Sequence, residues 1–195
     1  MQESTIEAIH EFWFGELDAN GFTRKDRSSL WFKADRAVDA ECRLRFGDTL
    51  ASARAGELTH WRDSDRGLVA LVVLLDQFSR NIHRGTPQAF AADDRALSLS
   101  RACIDSARDS RLPVIHRVFM YLPLEHCEDL HTQRECVRLF SALADAEPGA
   151  ADFLRYAVAH CDVIEQFGRF PHRNAILGRT STAEELEYLE THGGF

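Results

Sequence analysis

Eight consecutive apolar residues, Leu68-Val69-Ala70-Leu71-Val72-Val73-Leu74-Leu75, constrain the fold of this chain more than any other stretch. A segment that is apolar on every side must be covered on every side. The length also suits an interior strand, and periodicity alone does not separate the two. A strand needs partners, however, and no alternating apolar and polar stretch stands elsewhere to pair with it. The run is therefore expected to be a central helix, begun by Ser64 as its cap, and the most buried helix of the protein. At eight residues it is far short of the roughly 20 that span a bilayer.

The rest of the chain is punctuated as helices too. Ser4 and Glu7 have the spacing of a capping box, followed by Ile6, Ile9, Phe12 and Trp13 at helical intervals. A helix is predicted over about 34–55, with Val38, Cys42, Phe46 and Leu50 on one face, Trp31 and Phe32 leading into it, and Gly56 as a left-handed terminator. Gly85-Thr86-Pro87 reads as a stop, a cap and a first helical residue, opening a helix to about 108. Pro113 opens a short helix through Leu122, and Pro123 opens the next, which Pro148-Gly149 breaks. Another helix is expected over about 150–167, stopped by Gly168. Residues 168–181 read as irregular, and Thr182 with Glu185 forms a further capping box. The expected fold is all-α: a single domain over 1–195, about eight helices in stacked antiparallel hairpins, of the tetratricopeptide-like superhelical kind. That repeat's own spacing of Trp, Gly, Tyr and Pro is not present.

Charge narrows the partners. A net charge of −8 argues against nucleic acid and against anionic membrane surfaces, which call for a basic face. Five cysteines, an odd number with no Cys-x-x-Cys, suit a reducing compartment, so all five are expected to be thiols. Met1-Gln2-Glu3-Ser4 lacks the basic and apolar regions of a secretory signal. The expected location is the cytoplasm.

Two stretches echo each other. Gln77-Phe78-Ser79-Arg80-Asn81-Ile82-His83-Arg84 and Gln166-Phe167-Gly168-Arg169-Phe170-Pro171-His172-Arg173 both read Gln-Phe-x-Arg-x-x-His-Arg. Each is expected to place its arginines past a helix end. Arginine presents a planar fork that grips carboxylate or phosphate through two parallel hydrogen bonds, and histidine titrates near neutrality. The same residues also serve as plain caps on the last carbonyls of a helix. Residues 168–181 carry four basic side chains in fourteen irregular residues, and irregular stretches of that length are commonly functional.

The acidic counterpart is Leu122-Pro123-Leu124-Glu125-His126-Cys127-Glu128-Asp129-Leu130-His131. On one helix, Glu125, Glu128 and Asp129 would share a face. Arg80 and Arg169 are expected to meet in space and face this cluster, because buried charge needs a partner. The candidate ligand-binding residues are Gln77, Arg80, Asn81, Arg84, Glu125, Asp129, Arg169, His172, Arg173 and Asn174. For catalysis the candidates are Glu125 or Glu128 as base and His126 or His172 as acid, with Arg80 and Arg169 stabilising an oxyanion. Glu128 and His131 have the Glu-x-x-His spacing of carboxylate metal sites, as do Glu7 with His10 and Glu57 with His60. With fifteen glutamates and nine histidines such pairs arise by chance, and neither a metal nor a cofactor is expected. His160 and Cys161 are adjacent on a helix and diverge by about 100 degrees, which argues against a nucleophilic pair.

Several of these stretches together resemble domain of unknown function family 924. They are Asp76-Gln77-Phe78-x-Arg80-Asn81, Arg84-Gly85-Thr86-Pro87, Leu122-Pro123-x-Glu125-His126-x-Glu128-Asp129 and Phe167-Gly168-Arg169-Phe170-Pro171-His172-Arg173-Asn174. Phe12-Trp13-Phe14, Trp31-Phe32 and Gly56-Glu57-Leu58-x-x-Trp61 fit as well. The resemblance spans nearly the whole chain and implies an all-helical, tetratricopeptide-like fold in a mostly bacterial family, with no assigned activity. Two positions depart from the family pattern: Ser79 stands where Pro is usual, and Cys127 where Ser is usual.

Three functions compete on these residues. The first is capture of a small anionic molecule or a peptide carboxylate by the Arg/His motifs. The second is hydrolysis through the Glu/His cluster. The third is a purely structural polar network inside an interaction scaffold. The oligomeric state is not legible.

Overall fold

The computed structural model of this protein describes residues 2–193, and the described residues are helical with no strand. Among the described residues the one β-type pairing is a single antiparallel bridge, Leu17 to Thr23. The helices are α1 (Gln2–Trp13), α2 (Ser28–Phe32), α3 (Arg36–Ala55), α4 (Asp65–Val72), α5 (Ser79–Ile82), α6 (Asp93–Asp105), α7 (Val114–Glu125), α8 (Leu130–Ala146), α9 (Ala151–Phe167) and α10 (Ala183–His192). Among the described residues no helix is long and apolar enough to cross a membrane. Their contacts divide the chain into two compact units, residues 1–84 with 88–123, and residues 85–87 with 124–195.

The first unit is built on the apolar run. Ser64 caps α4 by accepting the Gly67 N–H at 3.0 Å, and every residue from Leu68 to Leu75 is buried. The run does not stop at the end of α4. It widens into a π-helical turn, Val73–Phe78, and returns to α-helix in α5. The register shift is visible at Ser79, whose N–H donates to the Leu74 carbonyl five residues back, a bond that proline at this position would lack. Phe78 at the end of the wide turn stacks on Phe46 of α3 at 4.9 Å and meets Trp13 of α1 edge-on at 5.2 Å. Phe119 of α7 closes the same cluster against Trp13, Phe14 and Trp31. Such edge-to-face packing adds to the burial of the rings themselves. Cys42, Phe46 and Leu50 of α3 are buried as their spacing predicts. Gly21 has φ +81, and a Cβ there would lie 2.7 Å from the Val114 nitrogen. That closeness lets Ile115 donate its N–H to the Gly21 carbonyl at 3.0 Å, docking the loop after α1 onto the start of α7.

The second unit is organised by the α8 and α9 hairpin, joined by a short turn at Pro148–Ala150. Val163, Ile164 and Phe170 form its core, with Leu130, Phe167 and Tyr188 packed against it. Gly168 ends α9 with φ +67, the left-handed conformation that glycine adopts without Cβ strain. Thr182 and Glu185 make the anticipated capping box on α10.

Several boundaries differ from the sequence expectation, each for a physical reason. Helix α1 is already formed at Gln2, so Ser4 lies within it, and Glu7 pairs with Arg66. Trp31 and Phe32 belong to the separate turn α2, where the Trp31 indole N–H donates to the Trp13 carbonyl at 2.9 Å. Pro87 opens a 3-10 turn, and α6 starts only at Asp93. Pro123 lies inside α7 rather than opening a helix. Asp129 then caps α8 by accepting the Thr132 N–H at 2.8 Å. None of the five cysteines is in a disulfide.

Candidate functional site

The first motif sits inside a helix, not beyond one. Asp76, Gln77 and Phe78 occupy the π-helical turn, Arg80 and Asn81 lie in α5, and His83 caps it. Arg80 lays its fork on Asp93 at 3.0 and 3.1 Å, and the same guanidinium reaches the buried Asp76 at 3.2 Å. Burial opposes the Arg80 charge, and the Asp76 and Asp93 carboxylates more than restore it, so its pKa is raised. Asn81 and Arg84 converge on Asp39 of α3, with the Asn81 amide at 2.9 Å and the Arg84 fork at 2.6 and 2.8 Å. Burial raises the Asp39 pKa, but the Arg84 and Asn81 hydrogen bonds outweigh it and hold the carboxyl below its ordinary range. The buried Gln77 amide donates to Asp76.

The second motif does follow a helix end, and its geometry differs from the first. Gln166 is exposed on α9, whereas Gln77 is buried. Arg169 directs its fork to Glu185 at 2.6 and 2.8 Å. Glu185 also accepts from the Thr182 N–H at 2.7 Å and the Asn174 amide at 3.1 Å. The Arg169 hydrogen bond leads the causes that bring its pKa down to about 2. One acidic residue thus completes a helix cap and anchors the motif. Arg173 is buried, stacks over the Phe170 ring at 4.6 Å and donates to the His126 carbonyl at 3.0 Å.

The acidic stretch is not one helix face. Glu125 is the last residue of α7, and Glu128 and Asp129 lie in the turn before α8. Three carboxylates expected side by side therefore point to three tasks. Asp129 is the α8 cap. Glu128 is gripped by Arg179 at 2.6 and 2.9 Å and accepts the Phe170 N–H at 2.8 Å. Burial raises its pKa, and the Arg179 and Phe170 hydrogen bonds prevail, keeping it ionised. Glu125 is buried with Oε1 3.3 Å from His160 Nδ1. That ring nitrogen also lies 2.8 Å from the Tyr156 carbonyl, which only accepts, so Nδ1 carries the proton and donates to that carbonyl. His160 is neutral: burial, reinforced by His126, His172 and Arg173, brings its pKa down to about 3. The approach to Glu125 is therefore that of a carboxyl group beside a neutral imidazole rather than an ion pair.

Around Phe170 three imidazoles gather. His160 meets its ring edge-on at 5.6 Å, His172 lies at 5.7 Å, and His126 is 6.3 Å from His160. His126 and His172 are half-buried, while His160 and Arg173 are buried. Of the candidate residues, the second unit brings together Glu125, His126, His172 and Arg173. Arg80 and Arg169 are each committed to carboxylates of their own unit, Asp76 and Asp93 for one and Glu185 for the other, in place of the shared acidic cluster expected. The helical Glu-x-x-His pairing of Glu128 with His131 is lost, because Glu128 precedes α8. No group of three or more metal-ligating side chains is present among the described residues.

Sequence reasoning missed four partners: Asp39, Asp93, Arg179 and Gln133. Gln133 is buried and donates its amide to the Glu125 and Cys127 carbonyls at 2.6 and 2.7 Å, clamping the turn between α7 and α8. Only Arg179 left a signal, as one of the four basic residues of the irregular stretch.

This architecture is shared by a solved structure of a protein of unknown function, ATU0120 from Agrobacterium tumefaciens. It is 35% identical, covers 98% of this chain and 99% of its own, and superposes with a TM-score of 0.84. No curated protein matches the chain. The profile of a family described as bacterial protein of unknown function (DUF924) matches residues 9–193. Having that match over nearly all its length, together with the motifs located above, the chain belongs to the DUF924 family.

Proposed function

We propose that the second unit binds a small anionic molecule or a peptide carboxylate, at the edge formed by His126, His172 and Arg173 around Phe170. The supporting observation is the local field. After burial, what depresses His160 is Arg173 together with His126 and His172, whose rings repel its proton when they carry one themselves. A place that repels a proton from one imidazole is favourable to an anion beside the others. His126 and His172 are half-buried and so reachable, while Arg173 supplies fixed charge beneath. In this reading Arg80, Arg84 and Arg169 are struts, because their forks already hold Asp93, Asp39 and Glu185. Hydrolysis has less behind it. Glu128 is engaged by Arg179 and held ionised at low proton affinity, which makes it a weak base.

The test is calorimetric titration of the full chain with citrate and with an N-acetylated dipeptide. His126→Gln and His172→Gln alter half-buried residues and are expected to leave the unliganded melting temperature within a few degrees. Either substitution is expected to weaken binding by about tenfold, the loss of one charged hydrogen bond. If neither compound binds, or if binding ignores both substitutions, the anion-binding reading fails and the cluster is structural.

A further inference from the structure

The first unit contains a cleft of about 520 Å³ that neither of the two arginine motifs lines. Its floor is three buried rings: His10 of α1, Phe14 just past the end of α1, and His116 of α7. His116 lies 4.5 Å from Phe14 and 4.9 Å from His10, centroid to centroid. Its rim is charged. Arg24 and Lys25 are exposed on the loop after α1, and Arg27 lies across Gly15 with Nη1 donating to the Phe12 carbonyl at 2.9 Å. A Cβ on Gly15 would come within 2.4 Å of Arg27 Nη2, so glycine is what lets this cation reach the cleft.

His10 carries the chemistry. Its Nε2 lies 2.9 Å from the Arg66 carbonyl. A carbonyl only accepts, so Nε2 bears the proton. Nδ1 is then a lone pair, wholly buried, and no protein group hydrogen-bonds to it. An unsatisfied buried acceptor is uncommon and costs about 1–3 kcal/mol when it goes without a donor. Burial holds His10 neutral, with its pKa down to about 4, so the lone pair persists at neutral pH. A cationic donor is disfavoured there, because the Arg66 charge outweighs the Glu7 charge at this ring. Glu7 and Arg66 neutralise each other across the cleft wall through a fork with Nε to Oε1 at 2.6 Å.

We infer that this cleft binds a small planar molecule that presents a neutral hydrogen-bond donor, a hydroxyl or ring N–H, to Nδ1 of His10 and a carboxylate to Arg24, Lys25 and Arg27. The three rings of the floor select a flat, largely apolar body. The lone pair selects a donor at its inner end. Glu11 and Glu16 line the cleft beside the rim cations, and of these Glu16 lies 3.7 Å from Arg24 with both groups exposed, a looser contact than the Arg66 fork. The volume lies in the range typical of small-molecule sites. Substrate and reaction are not implied by this geometry; recognition is.

The test uses the full chain and three probes: 4-hydroxyphenylacetate, phenylacetate, which lacks the donor, and 4-hydroxyphenethyl alcohol, which lacks the carboxylate. Binding is measured by calorimetry at millimolar concentration, and the imidazole nitrogens are followed by long-range proton–nitrogen NMR. The hydroxy acid is expected to bind about tenfold more tightly than either analogue, and the Nδ1 resonance of His10 is expected to move on binding. Lys25→Glu, an exposed substitution, is expected to weaken the two acids and leave the alcohol unchanged. Equal binding of phenylacetate with an unmoved Nδ1 overturns the inference, as does an absence of binding by all three. Movement of the His126 or His172 rings with His10 unmoved assigns the acid to the second unit and also overturns it.

Discussion

Arg179 grips Glu128 in a fork, Nη1 to Oε2 at 2.6 Å and Nη2 to Oε1 at 2.9 Å, and through it ties the irregular stretch after α9 to the turn before α8. The same guanidinium donates to the Phe170 carbonyl at 3.1 Å, while the Phe170 N–H donates back to Glu128. Both side chains are about three-quarters buried. Arg179→Ala is expected to cost about 2–3 kcal/mol in urea unfolding, because it leaves a largely buried carboxylate without its cation. Arg179→Lys should recover little of that, since a single ammonium cannot reproduce the fork. A double-mutant cycle with Glu128→Gln measures the coupling, and an interaction near zero would show the fork to be incidental.

Arg80 and Arg84 stand four residues apart in one motif and differ in burial, and stability should separate them. The Arg80 side chain is 20% exposed and bears on two carboxylates, whereas Arg84 is 44% exposed. Arg80→Ala is expected to destabilise by about 3–5 kcal/mol, as it strands the buried Asp76. Arg84→Ala should cost about 1 kcal/mol or less. Equal losses in thermal or urea unfolding would contradict the difference in burial.

Three buried histidines set the acid limit. His10, His116 and His160 are held neutral chiefly by burial, with pKa values down to about 4, about 3 and about 3. In the unfolded chain each takes a proton near its ordinary value of 6.5. The folded state therefore binds fewer protons as pH falls from about 6.5 toward 3–4, and stability declines through that window while remaining level above it. Each ring contributes up to about 2 kcal/mol of loss at about pH 5. Unfolding free energy measured against pH should fall with a slope of more than one proton below neutrality; a flat profile from pH 7 to 5 would refute the neutral-histidine assignment.

Ser79 tests the π-helical turn. Its hydroxyl is buried without a hydrogen-bond partner, and its N–H closes the wide turn onto Leu74. Ser79→Ala removes the stranded hydroxyl and is expected to be neutral or stabilising by about 1 kcal/mol. Ser79→Pro removes the N–H, but in the wide turn that N–H bonds the i−5 and not the i−4 carbonyl, which eases the ring's clash with the preceding turn, so its cost should be below the roughly 3 kcal/mol of a proline in a regular helix interior. Urea unfolding of both variants checks this, and a larger loss for proline would show the turn to be a regular helix in solution.

How much was legible follows the range of the forces involved. The all-α fold, the buried run from Leu68 to Leu75, the Ser64 cap, the Gly56 and Gly168 stops and the capping box on α10 were readable, because each depends on side chains within a turn or two of one another. Even locally, competing preferences misled: Pro123 lies within α7, and the helix through Phe78 absorbed a register shift and carried Arg80 inside α5. What tertiary structure alone decided is which charge meets which. Arg80 meets Asp93, Arg84 meets Asp39, Arg169 meets Glu185 and Glu128 meets Arg179, and sequence density of charge foretold none of these pairs. The His10 cleft is of the same kind. Its floor joins residues 106 positions apart, and packing alone leaves an unpartnered lone pair buried in a ring that lines a cleft. Local sequence determines helices because their hydrogen bonds are short-range in the chain, while a site is fixed by the packing of faces, which no single stretch encodes.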